Sequence, residues 1–142
     1  MTQDPVLAGP SAALRASVAL LGGLRLGIAG WAVARPRHVA DGVGVSADQR
    51  EAAVPYVRAL ALRELAIGVG AMAAYRRGSA GTFWVAAMAA SDGFDALVYE
   101  LLAELGTLDK VKARRSTWMA LSGAVPEALT ALALLRANRS HH

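Results

Sequence analysis

An arginine and a glutamate stand side by side in an otherwise apolar run, and this pair most constrains how the chain can fold. The run covers residues 59–72, with Arg63 and Glu64 close to its centre. Neighbouring residues on a helix point about 100° apart, so the two side chains cannot both face the axis of a bundle. One of them is therefore expected to reach a neighbouring helix and find a partner there.

Three further apolar runs also carry ionisable residues near their midpoints. The four midpoints lie near Gly23, Ala66, Gly93 and Pro126. Each charge lies within about three residues of a midpoint, which is less than ~5 Å along a helix axis. The charged residues are Arg25, Arg63, Glu64, Asp92, Asp95 and Glu127. If the runs form packed helices, all four helices contribute charge at one depth.

The four runs predict an all-α fold. We expect a single domain over residues 1–142, built as a four-helix transmembrane bundle with up-down-up-down antiparallel topology. The predicted helices cover about residues 12–34, 47–76, 82–105 and 117–136, each close to the ~20 residues needed to cross a bilayer.

Composition and the placement of basic residues indicate a membrane location. Hydrophobic residues make up 55% of the chain and charged residues 18%, against about 25% charge in soluble domains. Most basic residues flank the apolar runs, where they reach lipid headgroups. We expect an integral protein of the cytoplasmic (inner) membrane, with membrane lipids as partners. An alanine-rich soluble helical bundle is the alternative.

Local signals predict where the helices begin and end. Ser11 is suited to cap the first helix, and Pro36 is expected to end it. Ser46 with Gln49 has the form of a capping box, so the second helix is expected to start near residue 47. Gly106 is expected to stop the third helix, and a basic loop over residues 110–115 to precede the fourth.

Other residues bear on helix packing and on the membrane interface. Gly23 and Gly27 have the small-xxx-small spacing that lets membrane helices approach closely. Trp31, Trp84 and Trp118 are interpreted as interface anchors rather than as a ligand cage. The glycines are accordingly assigned to helix packing.

Several classes of site are excluded by composition. The chain has no cysteine, and His38 is the only histidine apart from the terminal His141 and His142, which read as an appended remnant. We therefore predict no metal site and no cofactor. The net charge of +4 comes with no nucleic-acid-binding motif, so no nucleic-acid partner is expected. Residues 1–10 read as an irregular leader without the features of a signal peptide.

The mid-depth charges are predicted to face inward and pair. A charge at the bilayer centre costs about 2.5–3.5 kcal/mol, so six of them facing lipid would exceed the stability of a typical domain. Two arginines against four carboxyls leave a negative excess, which is most readily removed by protonating one or two carboxyls. A neutral carboxylic acid beside a carboxylate suits general acid and base catalysis. The predicted catalytic residues are Glu64, Asp92, Asp95 and Glu127, and the predicted substrate-binding residues are Arg25, Arg63, Tyr99 and Met88.

Residues 61–68 and 89–96, which hold these charges, resemble a broad group of small four-helix integral membrane proteins of uncharacterised function. That group shares an arginine and an acidic residue followed by an apolar residue, a small residue and glycine on the second helix. It also has acidic residues on the third helix. Two further features of this sequence resemble that group: Arg25 stands two residues before Gly27, and Pro36 follows the first helix. The resemblance implies the four-helix membrane fold and no particular reaction.

The pattern is consistent with three functions. The first is an acid–base enzyme, either an isomerase, a cyclase or an epoxide-opening enzyme, that acts on a lipophilic small-molecule substrate. The second is a proton-coupled transporter or ligand-binding protein, which would work as a homo-oligomer because four short helices enclose little volume. The third is an accessory membrane subunit in which the charges form a structural network that fixes helix register.

Overall fold

The computed structural model describes residues 11–77 and 81–139, without the side chain of residue 138. The described part is all-helical, as predicted, and contains no strand. Its elements are α1 (Ala12–Ala34), α2 (Pro36–Gly42), α3 (Arg50–Arg76), α4 (Thr82–Glu104) and α5 (Lys110–Arg139). The leader at residues 1–10 and the terminal His141 and His142 lie outside the described residues.

The first connection contains a helix that the sequence pattern does not predict. Pro36 does end α1, but it also stands at the start of α2, where its fixed φ suits the first helical position. The seven-residue helix is held by packing, because Ala40 is fully buried in a cluster with Ala32, Val57 and Ala61. The predicted helices left residues 35–46 without a helix, and the structure differs because tertiary burial stabilises a helix too short to form alone.

The second long helix, α3, begins at Arg50, a few residues later than predicted. The predicted capping box is absent, because the N–H of Gln49 donates to the carbonyl of Ser46 at 3.1 Å in a turn, and Gln49 makes no side-chain cap. The first turn of α3 is tied to α2 instead. There, the Nε of Arg37 lies 2.5 Å from a carboxylate oxygen of Glu51.

The connection between α4 and α5 is shorter than predicted. Gly106 has a φ of +72° and ends α4 as expected. The predicted basic loop is in fact the first part of α5, which begins at Lys110 rather than near residue 117. The Oδ1 of Asp109 accepts the N–H of Lys112 at 2.9 Å and so caps this helix start.

The long helices pack most extensively as two pairs, α1 with α3 and α4 with α5. Gly22 of α1 lies against Ala71 of α3, whereas Ala32, farther along α1, lies with Val57, earlier in α3. Contacts between α4 and α5 also run in opposite order, since Met88 lies with Leu134 and Ala103, farther along α4, lies with Ala113, earlier in α5. These helices are therefore antiparallel within each pair.

Many large apolar side chains face outward in this fold, and the buried positions are mostly alanine together with a few charged residues. Ten of the sixteen buried apolar residues are alanine. Arg25, Glu64 and Glu127 are buried, at 4%, 7% and 3% exposure. Each of the four long helices has at least four exposed large apolar residues, and on α5 these are Val111, Trp118, Met119, Leu121, Val125, Leu129, Leu132 and Leu135.

Two of the described helices are long and apolar enough to cross a membrane. They are Ala12–Ala34, which is α1, and Lys110–Ala137, which is nearly all of α5. Both have a mean hydropathy of 1.5 over their most apolar segment. The other two long helices carry the ionisable residues Arg63, Glu64, Asp92 and Asp95 at their centres, which lowers their mean hydropathy.

Candidate functional site

Arg25 lies at the centre of a buried ion-pair network between the two helix pairs. Its guanidinium comes from α1, in the part that packs closely on α3 through Gly22 and Gly68. The Nη1 atom is paired with Glu64 of α3. The Nη2 atom reaches across to the other pair, where it lies 2.8 Å from Glu127 of α5 and 2.8 Å from Asp92 of α4. One side chain thus connects all four long helices.

The Nη2 atom of Arg25 has more oxygen neighbours than hydrogens. It lies 2.8 Å and 3.0 Å from the two carboxylate oxygens of Glu127, 3.2 Å from the carbonyl oxygen of Met88, and 2.8 Å from Oδ1 of Asp92. A guanidinium Nη carries two hydrogens, so these four oxygens cannot each receive one. Asp92 and Glu127 therefore compete for one nitrogen, and protonation of either carboxyl would relieve this competition.

Arg63 forms the second centre of the network. Its two Nη atoms lie 2.9 Å and 2.5 Å from the carboxylate oxygens of Asp95 on α4. Its Nε and Nη2 also donate to Oε1 of Glu64, at 3.1 Å and 2.9 Å. Because Glu64 contacts both arginines, the network is continuous from Asp95 through Arg63 and Glu64 to Arg25.

The charges of the network do not balance. Two guanidinium groups face four carboxyls, and no lysine or histidine lies among the described residues that line the adjoining cavity. Each arginine can be matched with one carboxylate of its own, Arg63 with Asp95 and Arg25 with Glu64. The unmatched acids are then Asp92 and Glu127, which are the pair that shares Nη2 of Arg25.

A cavity of about 390 Å³ adjoins this network, within the size range of small-molecule sites. Its polar end holds the six ionisable residues. Its remaining wall is mainly apolar, and the apolar lining residues are Leu21, Leu24, Ile28, Ala32, Val39, Val57, Leu60, Ala61, Met119 and Pro126.

Exposed apolar side chains of α1 and α5 line part of the cavity. Leu24 and Ile28 of α1 are 60% and 45% exposed, and Met119 of α5 is 66% exposed, although all three line the cavity. These two helices make few contacts with each other. A ligand that passed these side chains would meet the charged groups inside.

The two remaining predicted site residues are placed differently from each other. Tyr99 of α4 lines the cavity. The Met88 side chain is fully buried in a core cluster with Val18 and Leu134. Its backbone carbonyl, rather than its side chain, joins the network by accepting from Arg25.

One polar residue of the site was not named from the sequence. The hydroxyl of Ser91 lies 3.3 Å from Oε1 of Glu64, to which it donates, and Ser91 is buried. Its position four residues before Asp95 places both on one face of α4. That spacing is a signal that could have identified it.

The described residues contain no group of three or more His, Cys, Asp or Glu that could hold a metal ion. The carboxyls of the network are instead arranged around guanidinium groups. What the arrangement can supply is a buried proton donor and acceptor next to an apolar cavity.

No family model, no curated protein and no solved structure matches the chain. The resemblance to small four-helix membrane proteins therefore stays a prediction. Function has to be argued from the site itself.

Proposed function

We propose that the protein is an integral membrane protein in which α1, α3, α4 and α5 all span the bilayer, in up-down-up-down order. The outward-facing large apolar residues and the alanine-rich interior support this topology, because lipid-facing surfaces are apolar and membrane helices pack through small residues. The charges on α3 and α4 are compatible with spanning, since they face inward and pair.

The function that the geometry supports best is acid–base catalysis on a lipophilic small molecule. The observation that carries this proposal is the pair Asp92 and Glu127, which approach the same guanidinium nitrogen at 2.8 Å beside a mainly apolar cavity. Two carboxyls that share one proton provide a donor and an acceptor together. Isomerisation, cyclisation and epoxide opening of an apolar substrate can each use such a pair.

The residues take distinct roles in this proposal. Asp92, the more accessible acid at 18% side-chain exposure against 4% for Glu127, exchanges the proton with the substrate. Glu127 takes or returns it. Arg25 holds both acids in place and stabilises the one that is ionised, while Arg63 with Asp95 and Glu64 fixes Arg25 from the other side.

Proton-coupled transport is the alternative, and the geometry favours it less. A proton path across a membrane needs ionisable groups at successive depths. Here the groups connect sideways through the bundle, from Asp95 to Glu127, at one level. A structural network in an accessory subunit is the other alternative, and it needs no cavity beside the charges.

The first test is mass spectrometry of lipid-soluble material that co-purifies with the protein. We expect a small lipophilic compound with the wild type, and at least about tenfold less with Asp92→Asn and Glu127→Gln, the loss that corresponds to ~1.4 kcal/mol. Glu104→Gln is the matched control, because this α4 carboxylate is exposed and paired with Lys110. It should retain the compound.

A labelling experiment separates the functions. The retained compound is incubated with the protein in heavy water, or in ¹⁸O-water for epoxide opening. An enzyme introduces the solvent isotope into the compound, and Asp92→Asn does not. Retention without any label would favour a transporter. If neither the wild type nor any variant retains a compound, and the substitutions only lower thermal stability, the network is structural and the catalytic proposal fails.

A further inference from the structure

The charge left on the site restricts the kind of substrate it accepts. With Arg63 matched to Asp95 and Arg25 to Glu64, the remaining acids Asp92 and Glu127 carry two negative charges when ionised. Two such charges in a low-dielectric surrounding are costly, so they have to be neutralised, either by protons or by a cation in the adjoining cavity.

Neither arginine is free to bind an anionic group. Arg25 is 4% exposed, and its Nη atoms already face Glu64, Glu127, Asp92 and the Met88 carbonyl. The Arg63 side chain is 30% exposed, but its Nε and both Nη atoms already donate to Asp95 or Glu64. A carboxylate or phosphate headgroup would add negative charge where carboxyls are already in excess, so the site disfavours lipophilic anions such as fatty acids.

The exposed part of the negative pair faces the cavity. The Asp92 side chain is the more accessible of the two. Among the described residues, the charged ones that line the cavity are Arg25 from α1, Arg63 and Glu64 from α3, Asp92 and Asp95 from α4, and Glu127 from α5, while α2 contributes Val39. A cation at Asp92 would therefore meet carboxylates, with the ring of Tyr99 also on the cavity wall.

We propose that the substrate of this site is a lipophilic cation, an amine in its protonated or quaternary form, whose positive group lies against Asp92 and whose apolar part lies along Leu24, Ile28 and Val57. This inference rests on the proposed function, since it assigns a substrate class to the same cavity. It explains why a cavity with a mainly apolar wall has more carboxyls than guanidinium groups among its charged residues.

The experiment compares three probes with the same apolar chain: dodecyltrimethylammonium, dodecanol and dodecanoate. Binding is measured by equilibrium dialysis of radiolabelled probe against the protein in zwitterionic lipid nanodiscs, with empty nanodiscs subtracted. We expect one saturable site for the ammonium probe, and at least tenfold weaker binding of the alcohol and the carboxylate. Asp92→Asn and Glu127→Gln should each weaken ammonium binding at least tenfold, and Glu104→Gln should not. Circular dichroism checks that each variant retains its helices.

The outcomes distinguish this inference from the proposed function. If the alcohol binds as tightly as the ammonium probe, and Asp92→Asn abolishes both, the charge inference is overturned while the acid–base proposal stands. If ammonium binding is unsaturable, or equal in all variants, the probe only partitions into lipid and the inference is again overturned. Solvent-isotope labelling of the co-purified compound still tests the catalytic proposal in that case.

Discussion

Arg63 and Glu64 are adjacent in the chain, yet they connect different helices: Arg63 reaches Asp95 on α4, and Glu64 pairs with Arg25 on α1. The two also bond each other, at 2.9 Å between Nη2 and Oε1. Their divergence on α3 is what joins the two arginines into one network. The network in turn connects the α1–α3 pair to the α4–α5 pair, where the backbones approach less closely.

Removing Arg25 should be strongly destabilising. In Arg25→Met the buried carboxyls of Glu64 and Glu127 lose their common partner, and breaking a buried ion pair on one side costs about 3–5 kcal/mol. Thermal unfolding in detergent, followed by circular dichroism, measures the loss. Arg15→Met is the control on the same helix. The Arg15 guanidinium makes a cation–π contact, 5.6 Å from the centre of the Tyr75 ring, which should contribute less than about 1 kcal/mol.

A second substitution tests whether the loss comes from charge. Adding Glu127→Gln to Arg25→Met removes one uncompensated carboxylate, so the double variant should be more stable than Arg25→Met alone. If Arg25→Met unfolds at the same temperature as Arg15→Met, the network does not hold the bundle together.

Gly68→Ala should push α1 away from α3. A Cβ at this position would lie 2.9 Å from Cδ2 of Leu26 and 3.0 Å from the backbone carbonyl oxygen of Gly22, and the backbone atom cannot move aside alone. We expect a loss of about 1–3 kcal/mol in the free energy of unfolding. Gly23→Ala is the matched control, since nothing lies within 4 Å of the added atom. Equal stability of the two variants would contradict this packing.

These glycines show where sequence reasoning reached its limit. Spacing alone indicated Gly23 and Gly27 as the packing pair, but both have open space around them, and the close approach is made by Gly22 and Gly68. The spacing rule identifies a helix with a small-residue face. Which rotation that helix adopts depends on the other helices, because burying Arg25 turns Gly22 inward and Gly23 outward.

Other features could be read from the sequence because they are local. Ser11 caps α1 by accepting the N–H of Leu14, and Gly106 ends α4 with a positive φ. The common depth of the charges also follows from counting residues along each run. The pairing of Asp92 and Glu127 on one nitrogen does not, since it depends on how four helices are rotated together. The start of α5 was missed because its basic residues read as a loop.

Asp41 lies in α2, at one end of the bundle, and its ion pairs should make the stability of the fold depend on pH. Its Oδ1 lies 3.1 Å from Nζ of Lys112 and 2.9 Å from Nη2 of Arg50, and the hydrogen bond from Lys112 lowers the pKa of Asp41 below its ordinary value of 3.8. Because the pKa of Asp41 is lower in the folded than in the unfolded chain, its ionisation stabilises the fold at pH values above the unfolded-state pKa. This stabilisation is lost as the pH falls through the folded-state pKa.

The matching experiment compares thermal unfolding of the wild type and Asp41→Asn at pH 7 and near pH 3. We expect the wild type to melt at the higher temperature at pH 7, and the difference to shrink in acid. In a Lys112→Ala background the effect of Asp41→Asn should be smaller. A difference that stays the same at both pH values would show that it does not come from ionisation of Asp41.

Gly123→Ala should displace Asp92 while leaving the fold intact. A Cβ at Gly123 would collide with Oδ2 of Asp92, which is the end of a short flexible side chain, so the carboxyl can swing away instead of the helices separating. We expect a small change in unfolding temperature, with weaker binding of the ammonium probe and slower isotope incorporation into the bound compound. Gly93→Ala on α4 is the control, because its added Cβ would meet nothing within 4 Å. If Gly123→Ala lowers stability as much as Gly68→Ala does, Gly123 serves helix packing. If Gly123→Ala leaves binding of the ammonium probe unchanged, Asp92 is not part of the proposed site.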